Sequence, residues 1–219
     1  MALTKFNYNS FDLTTAASKG LAFNSSANGL ETSSAGSMTL IKTLTASSSS
    51  TLSFVDGSSD VVLDNTYPVY VFKFINIHAG TNDAEFLFNL STDSGSNYNV
   101  TKTTTFFRTY HDESGNSGFL YQNEFDLAQG TGFQKIQNYH SSDNDSNSNG
   151  TLTLFNPSST TFVKHFISVN SGDYGSAGEH NHFMAGYGNT TSAVDAVQFK
   201  MNTGNIDAGT IKLYGIKDS

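Results

Sequence analysis

Residues 195–216 carry two short runs in which apolar and polar side chains alternate. Val197, Phe199 and Met201 alternate with Gln198 and Lys200; Ile211, Leu213 and Gly215 alternate with Lys212 and Tyr214. Successive strand side chains point to opposite faces, so a period of two marks a half-buried strand. Asn202-Thr203-Gly204-Asn205 and Ala208-Gly209 lie between the runs and accept positive φ at little cost. Two strands joined by so short a link predict a β-hairpin, here near the centre of a sheet.

The same texture covers most of the chain. Runs at 38–45 and 51–55 flank a turn at 46–50, and a brief run at 61–63 is broken by Asp64-Asn65-Thr66-Tyr67-Pro68. Residues 69–77 are apolar at nearly every position, which predicts a central strand covered on both faces. Further strands are expected at 85–91, 100–110, 118–121, 132–138, 151–155, 161–169 and 182–187, with one helical turn within 123–130. Many short strands separated by turn residues indicate a sandwich or barrel. The 18 Phe, against no Trp, suit a core in which rings from two facing sheets interdigitate. The expected fold is all-β: a jelly-roll-like antiparallel β-sandwich of roughly ten to twelve strands, counted from the pattern. It occupies residues 38–219 and carries a short N-terminal arm, residues 1–37.

The arm differs in composition. Asp12 is placed to cap a short helix through Lys19, with Gly20 as its stop, between turn-rich flanks. Phe6, Tyr8, Phe11, Leu13, Leu21 and Phe23 are its candidate assembly anchors, docking on the body or on a neighbouring chain.

Composition excludes several functions. A net charge of −8 with only 11 scattered Lys and Arg argues against gripping a nucleic-acid backbone. Zero Cys removes disulfides, thiolate metal sites and thiol catalysis together. The first twelve residues contain no apolar core of a signal peptide, so synthesis in the cytoplasm is expected. No apolar run approaches the roughly 20 residues of a membrane helix, so no membrane insertion is expected either.

Asp145, Asn147, Asn149 and Gly150 match the opening of a calcium loop, D-x-N-x-N-G, but its twelfth position is Asn156 rather than the bidentate Glu such loops use. A solvated polar loop is the simpler expectation. His180 and His182, two apart, fall on one face of a strand and could share a metal, although no third ligand can be placed. His165 is expected beside Val163 and Ile167 as a satisfied sheet histidine. No metal or other cofactor is expected. The nearest carboxylate groupings are Asp83 with Glu85, Asp112 with Glu113, and Asp173 with Glu179, each in a turn-rich setting where acids are usually solvated. Neither G-x-S-x-G nor H-E-x-x-H occurs, and no enzyme is expected. Tyr98, Tyr121, Tyr139 and Tyr174 could stack on sugar rings or complete a sandwich edge.

Four stretches share a further likeness: Pro68-Val69-Tyr70-Val71-Phe72-Lys73-Phe74-Ile75-Asn76-Ile77-His78, Phe88-Asn89-Leu90-Ser91-Thr92-Asp93-Ser94-Gly95-Ser96-Asn97-Tyr98, Phe155-Asn156-Pro157-Ser158-Ser159-Thr160-Thr161-Phe162-Val163-Lys164-His165, and residues 204–216. The chain resembles small virion structural proteins of tailed bacteriophages, frequent in marine phages such as those of cyanobacteria. Its opening Met-Ala-Leu-Thr-Lys is similar to starts common among phage tail-fibre proteins. The resemblance spans roughly residues 38–216. It implies a non-enzymatic virion component, on a tail appendage or as a head decoration, partnered by other virion proteins and by itself as a homotrimer. A loop contact with a host-surface glycan or protein, or breakdown of that glycan, are the alternatives it leaves. It transfers no catalytic residue.

Overall fold

The structure, a computed structural model, describes residues 19–23, 26, 30–34, 37–173 and 178–217. Fifteen strands occur among them. They are β1 (Lys19–Phe23), β2 (Leu30–Ser34), β3 (Met38–Thr45), β4 (Leu52–Val55), β5 (Val69–Ala79), β6 (Ala84–Ser91), β7 (Lys102–Asp112) and β8 (Ser117–Tyr121), followed by β9 (Ala128–Gly130), β10 (Gln134–His140), β11 (Ser148–Phe155), β12 (Lys164–Asp173), β13 (Gly178–Gly188), β14 (Ala196–Met201) and β15 (Ile206–Ile216). A single 3-10 turn, Asn123–Phe125, sits where one helical turn is expected.

The protein is an all-β sandwich. A four-stranded sheet, β10-β6-β14-β4, packs against a nine-stranded sheet, β3-β15-β5-β11-β12-β13-β7-β8, with β9 added beside β7. Every pairing is antiparallel. β1 and β2 pair with each other in a separate hairpin, Phe23 opposite Leu30. Thirteen strands therefore build the body, slightly more than the pattern predicts.

The core is a phenylalanine lattice. Phe54, Phe72, Phe86, Phe88, Phe106, Phe166 and Phe199 are fully buried. Phe199 on β14 meets rings from both sheets: Phe72 and Phe74 each at 5.3 Å, Phe86 at 5.9 Å and Phe54 at 6.2 Å. The contacts with Phe54 and Phe74 are edge-on, the arrangement the aromatic quadrupole favours. β12 shows the alternation without interruption: Lys164, Phe166, Ser168 and Asn170 turn inward, and His165, Ile167, Val169 and Ser171 turn outward.

Three expectations need correction. The predicted hairpin at 195–216 does not pair with itself, since β14 lies in the small sheet between β6 and β4 and β15 in the large sheet between β3 and β5. Its four-residue link crosses the sandwich. Asn202 N–H bonds Glu85 O beside the small sheet, and Asn205 O accepts from Gly80 N at the end of β5. Four residues reach about 13 Å extended, enough for the roughly 10 Å between stacked sheets. Residues 46–51 make the same crossing between β3 and β4. The run at 61–63 is not a strand, although Val61 and Leu63 are buried. β5 is central in its sheet but covered on one face only: Tyr70, Phe72, Phe74 and Ile77 enter the core, while Lys73 and Ile75 reach the open side.

Candidate functional site

The outer face of the large sheet has no second layer of the described chain over it. Cross-strand register places Phe183 opposite both Val169 and Phe107, Phe107 opposite Tyr121, and Thr109 opposite Phe119. Phe107 and Phe183 stack at 4.9 Å with planes 11° apart, and Phe119 leans on Phe107 at 5.3 Å. Phe119 is 63% exposed, Tyr121 56% and Ile167 50%. A shallow depression of about 490 Å³ opens beside them, lined by Thr103, Thr105, His165, Ile167, Ala185 and Tyr187. His165 is exposed here, 5.7 Å ring to ring from Tyr187, rather than packed with Val163 as the alternation suggests. Towards β3 the face changes. Lys73 stands directly opposite Lys212, with the Lys73 ammonium over the Tyr214 ring at 5.6 Å, and Leu40 and Met38 are exposed beyond. Large exposed apolar patches on soluble proteins mark interaction sites.

A second feature is an open cleft of about 650 Å³ where β7, β12 and β13 end. Asp112, Glu113, Asp145, Asp173, Glu179 and His111 are among its lining residues. Two of the carboxylate groupings legible in the sequence meet there, with Asp173 and Glu179 directly across from one another. The third does not: Glu85 pairs with Lys135 at 2.7 Å elsewhere. Most of these acids are occupied locally. Asp173 accepts from Ser146 Oγ and from Asn147 N at 2.9 Å. Asp112 caps its own turn through the Asn116 side chain, Asn116 N and Ser114 N, which holds its carboxyl below the usual range. The calcium-like run is used in the same way. Asn147 Oδ1 accepts from the Asn149 side chain at 2.6 Å, and Asn149 Oδ1 accepts from Asn76 N at 2.8 Å. Asn156 ends the strand with positive φ. The D-x-N-x-N-G spacing here builds a turn that ties β11 to β5.

His180 and His182 do share a face of β13, but that face is the interior. Both are buried, their rings 5.6 Å apart. An Arg108 N–H donates to His180 Nδ1 at 2.9 Å, so Nδ1 must be the acceptor and the imidazole neutral. That leaves no lone pair on Nδ1 for a metal. His182 Nε2 donates to Asn138 Oδ1 at 2.7 Å. Burial pushes these groups down, His180 to about 4 and His182 to about 2, helped by the Arg108 charge. His140 across the gap falls to about 3 through its burial, with a smaller push from His78. Among the described residues no three His, Cys, Asp or Glu side chains are gathered for a metal ion.

These histidines belong to a polar half of the interior that the sequence does not announce. β10 contributes Gln134, Gln137, Asn138 and His140, all buried, against Thr104, Ser168 and Asn170 of the large sheet. Thr104 Oγ1 donates to Gln134 Oε1 at 2.7 Å, and Asn170 Nδ2 to Ser168 Oγ at 2.6 Å. Lys102, fully buried, donates to Val100 O at 2.7 Å and to Asn89 Oδ1. Desolvation brings its ammonium down to about 7. Asn89 in turn reaches Tyr98 O and Thr131 O, fixing two loops to the small sheet.

Phe6, Tyr8, Phe11 and Leu13 of the expected arm, and Tyr174 of the expected tyrosine loops, lie outside the described residues, as does the helix from Asp12 except for Lys19, which opens β1. Leu21 stands opposite Thr32 in the hairpin, and Phe23 is 75% exposed. Tyr139 sits under the Arg108 guanidinium at 5.2 Å, while Tyr121 joins the open face. Comparison with protein-family models, curated proteins and solved structures finds no match to this chain.

Proposed function

We propose that the protein is a non-enzymatic structural subunit of a tailed-phage particle, a tail-appendage component exposed to the medium and able to touch the host surface. The observation that carries the structural role is the open face of the large sheet. Phe119, Tyr121, Phe107 and Phe183 form an aromatic surface on paired strands, suited to a protein contact. The phage setting rests on the sequence resemblance. The strand order supports a jelly-roll-like reading: β4-β14-β6-β10 faces β5-β11-β7-β8, with the β12–β13 hairpin inserted between β11 and β7. Within this proposal the arm, residues 1–37, joins neighbouring virion proteins, and the threefold assembly implied by the resemblance is its natural symmetry.

The deciding measurement is copy number in purified particles, by quantitative mass spectrometry against the major capsid protein. A small multiple of the tail symmetry is the expected result. A number close to that of the capsid protein would make the chain a head decoration instead, and absence from the particle would overturn the virion assignment.

A further inference from the structure

We infer that the β12–β13–β7–β8 half of the open face is a self-association surface whose occupant is a second copy of this chain. This deepens the structural-subunit proposal and rests on it. Six side chains define the patch: Ile167, Val169, Phe183, Phe107, Phe119 and Tyr121. Across the rows they occupy, the other outward residues are Thr105, Thr109, Ala185, Asn181 and Ser171, all uncharged. Charge returns at the β8 margin, where the Asp126 carboxylate accepts from Tyr121 OH, where the strands end, at Asp173 and Glu179, and on the far side, at Lys73 and Lys212.

The occupant follows from charge and size. The chain carries a net −8, so two copies repel through most of their surfaces. The centre of the patch, on β12, β13 and β7, is a stretch where two copies meet without bringing carboxylates together, and Asp126 lies at its β8 margin. A polyanion finds no cation within it. β12, β13 and β7 are 10, 11 and 11 residues long and β8 is 5, so at about 3.3 Å per residue and about 4.8 Å spacing the four cover roughly 600 Å². The whole face of eight successive strands covers about 1,200 Å² by the same geometry. A stable interface takes about 800 Å² per partner, which lies between these values. The aromatic centre with a polar and charged margin also matches the anatomy of such interfaces.

The experiment is light scattering after size-exclusion chromatography on the full chain at about 10 μM. Wild-type protein is expected at a multiple of 23.6 kDa. The double variant Phe119→Asp/Ile167→Asp changes exposed side chains only. It is expected at the mass of one chain with unchanged circular dichroism, its dissociation constant raised about a hundredfold or more by buried like charges. Thr43→Asp, on β3 outside the patch, is expected to stay assembled. Wild-type protein at the mass of a single chain overturns the inference, as does a double variant that still assembles. These outcomes are separate from particle content: a monomer that nevertheless joins the virion removes only the self-contact, and an oligomer absent from the virion removes only the virion role.

Discussion

Replacing Phe199 by Ala tests whether the two sheets are held by the phenylalanine lattice. Phe199 is fully buried, and its ring contacts Phe54 and Phe86 of the small sheet and Phe72 and Phe74 of the large one. Removing the ring forfeits about 2 kcal/mol of transfer free energy. The ring leaves roughly 100 Å³, which at about 24 cal/mol per Å³ adds about 2.4 kcal/mol if the walls do not collapse. The walls are four other rings fixed on strands of both sheets, so little collapse is expected, and the loss should be about 4–5 kcal/mol. For a chain of this size that is a fall in Tm of roughly 8–20 °C. Guanidinium unfolding followed by fluorescence and circular dichroism would measure it, with Phe119→Ala on the exposed face as a control expected within about 1 kcal/mol. A loss for Phe199→Ala below about 2 kcal/mol at unchanged m-value would refute the lattice as the element that joins the sheets.

The buried histidines make the fold acid-sensitive. His140 and His182 have native pKa values, about 3 and about 2, that lie below the unfolded value of about 6.5. Above pH 6.5 they cost nothing; below it the unfolded chain takes up protons that the native chain refuses. Each should then remove about 1.4 kcal/mol per pH unit, and urea midpoints between pH 7 and 4 should fall less steeply in His182→Gln. Lys102 works at the other end, because its native pKa of about 7 lies below the usual 10.5. Stability should rise from pH 7 towards 10.5, and Lys102→Met should flatten that rise in the same titration. Gly209 has φ +114, and a Cβ there would lie 2.5 Å from Asn76 O, where β15 and β5 slip register. Gly209→Ala should therefore cost at least about 2 kcal/mol, read by thermal unfolding, whereas Gly57→Ala, with open space around it, should cost only its φ strain of about 1 kcal/mol.

The sequence by itself determined the local elements. Alternation such as Val197-Gln198-Phe199-Lys200-Met201 sets a strand and which side chains share a face, since both follow from backbone geometry alone. It also carried the all-β class, the shared strand face of His180 and His182, and two of the three acid groupings, found together in one cleft. Which sheet each strand joins was decided only in three dimensions. Four residues after Met201 suffice either for a hairpin or for a crossing of about 10 Å, and the choice depends on β5 and β6 offering their edges, far away in sequence. The same reason hid the polar interior: Gln134, Gln137 and His140 look like an exposed strand until Thr104, Ser148 and His182 arrive to bond or cover them. It also hid the open face. Phe107, Phe119, Phe183 and Val169 each look like core residues in a strand pattern, and only the docking of the small sheet on the other face, over Phe106, Phe166 and Met184, leaves them toward solvent.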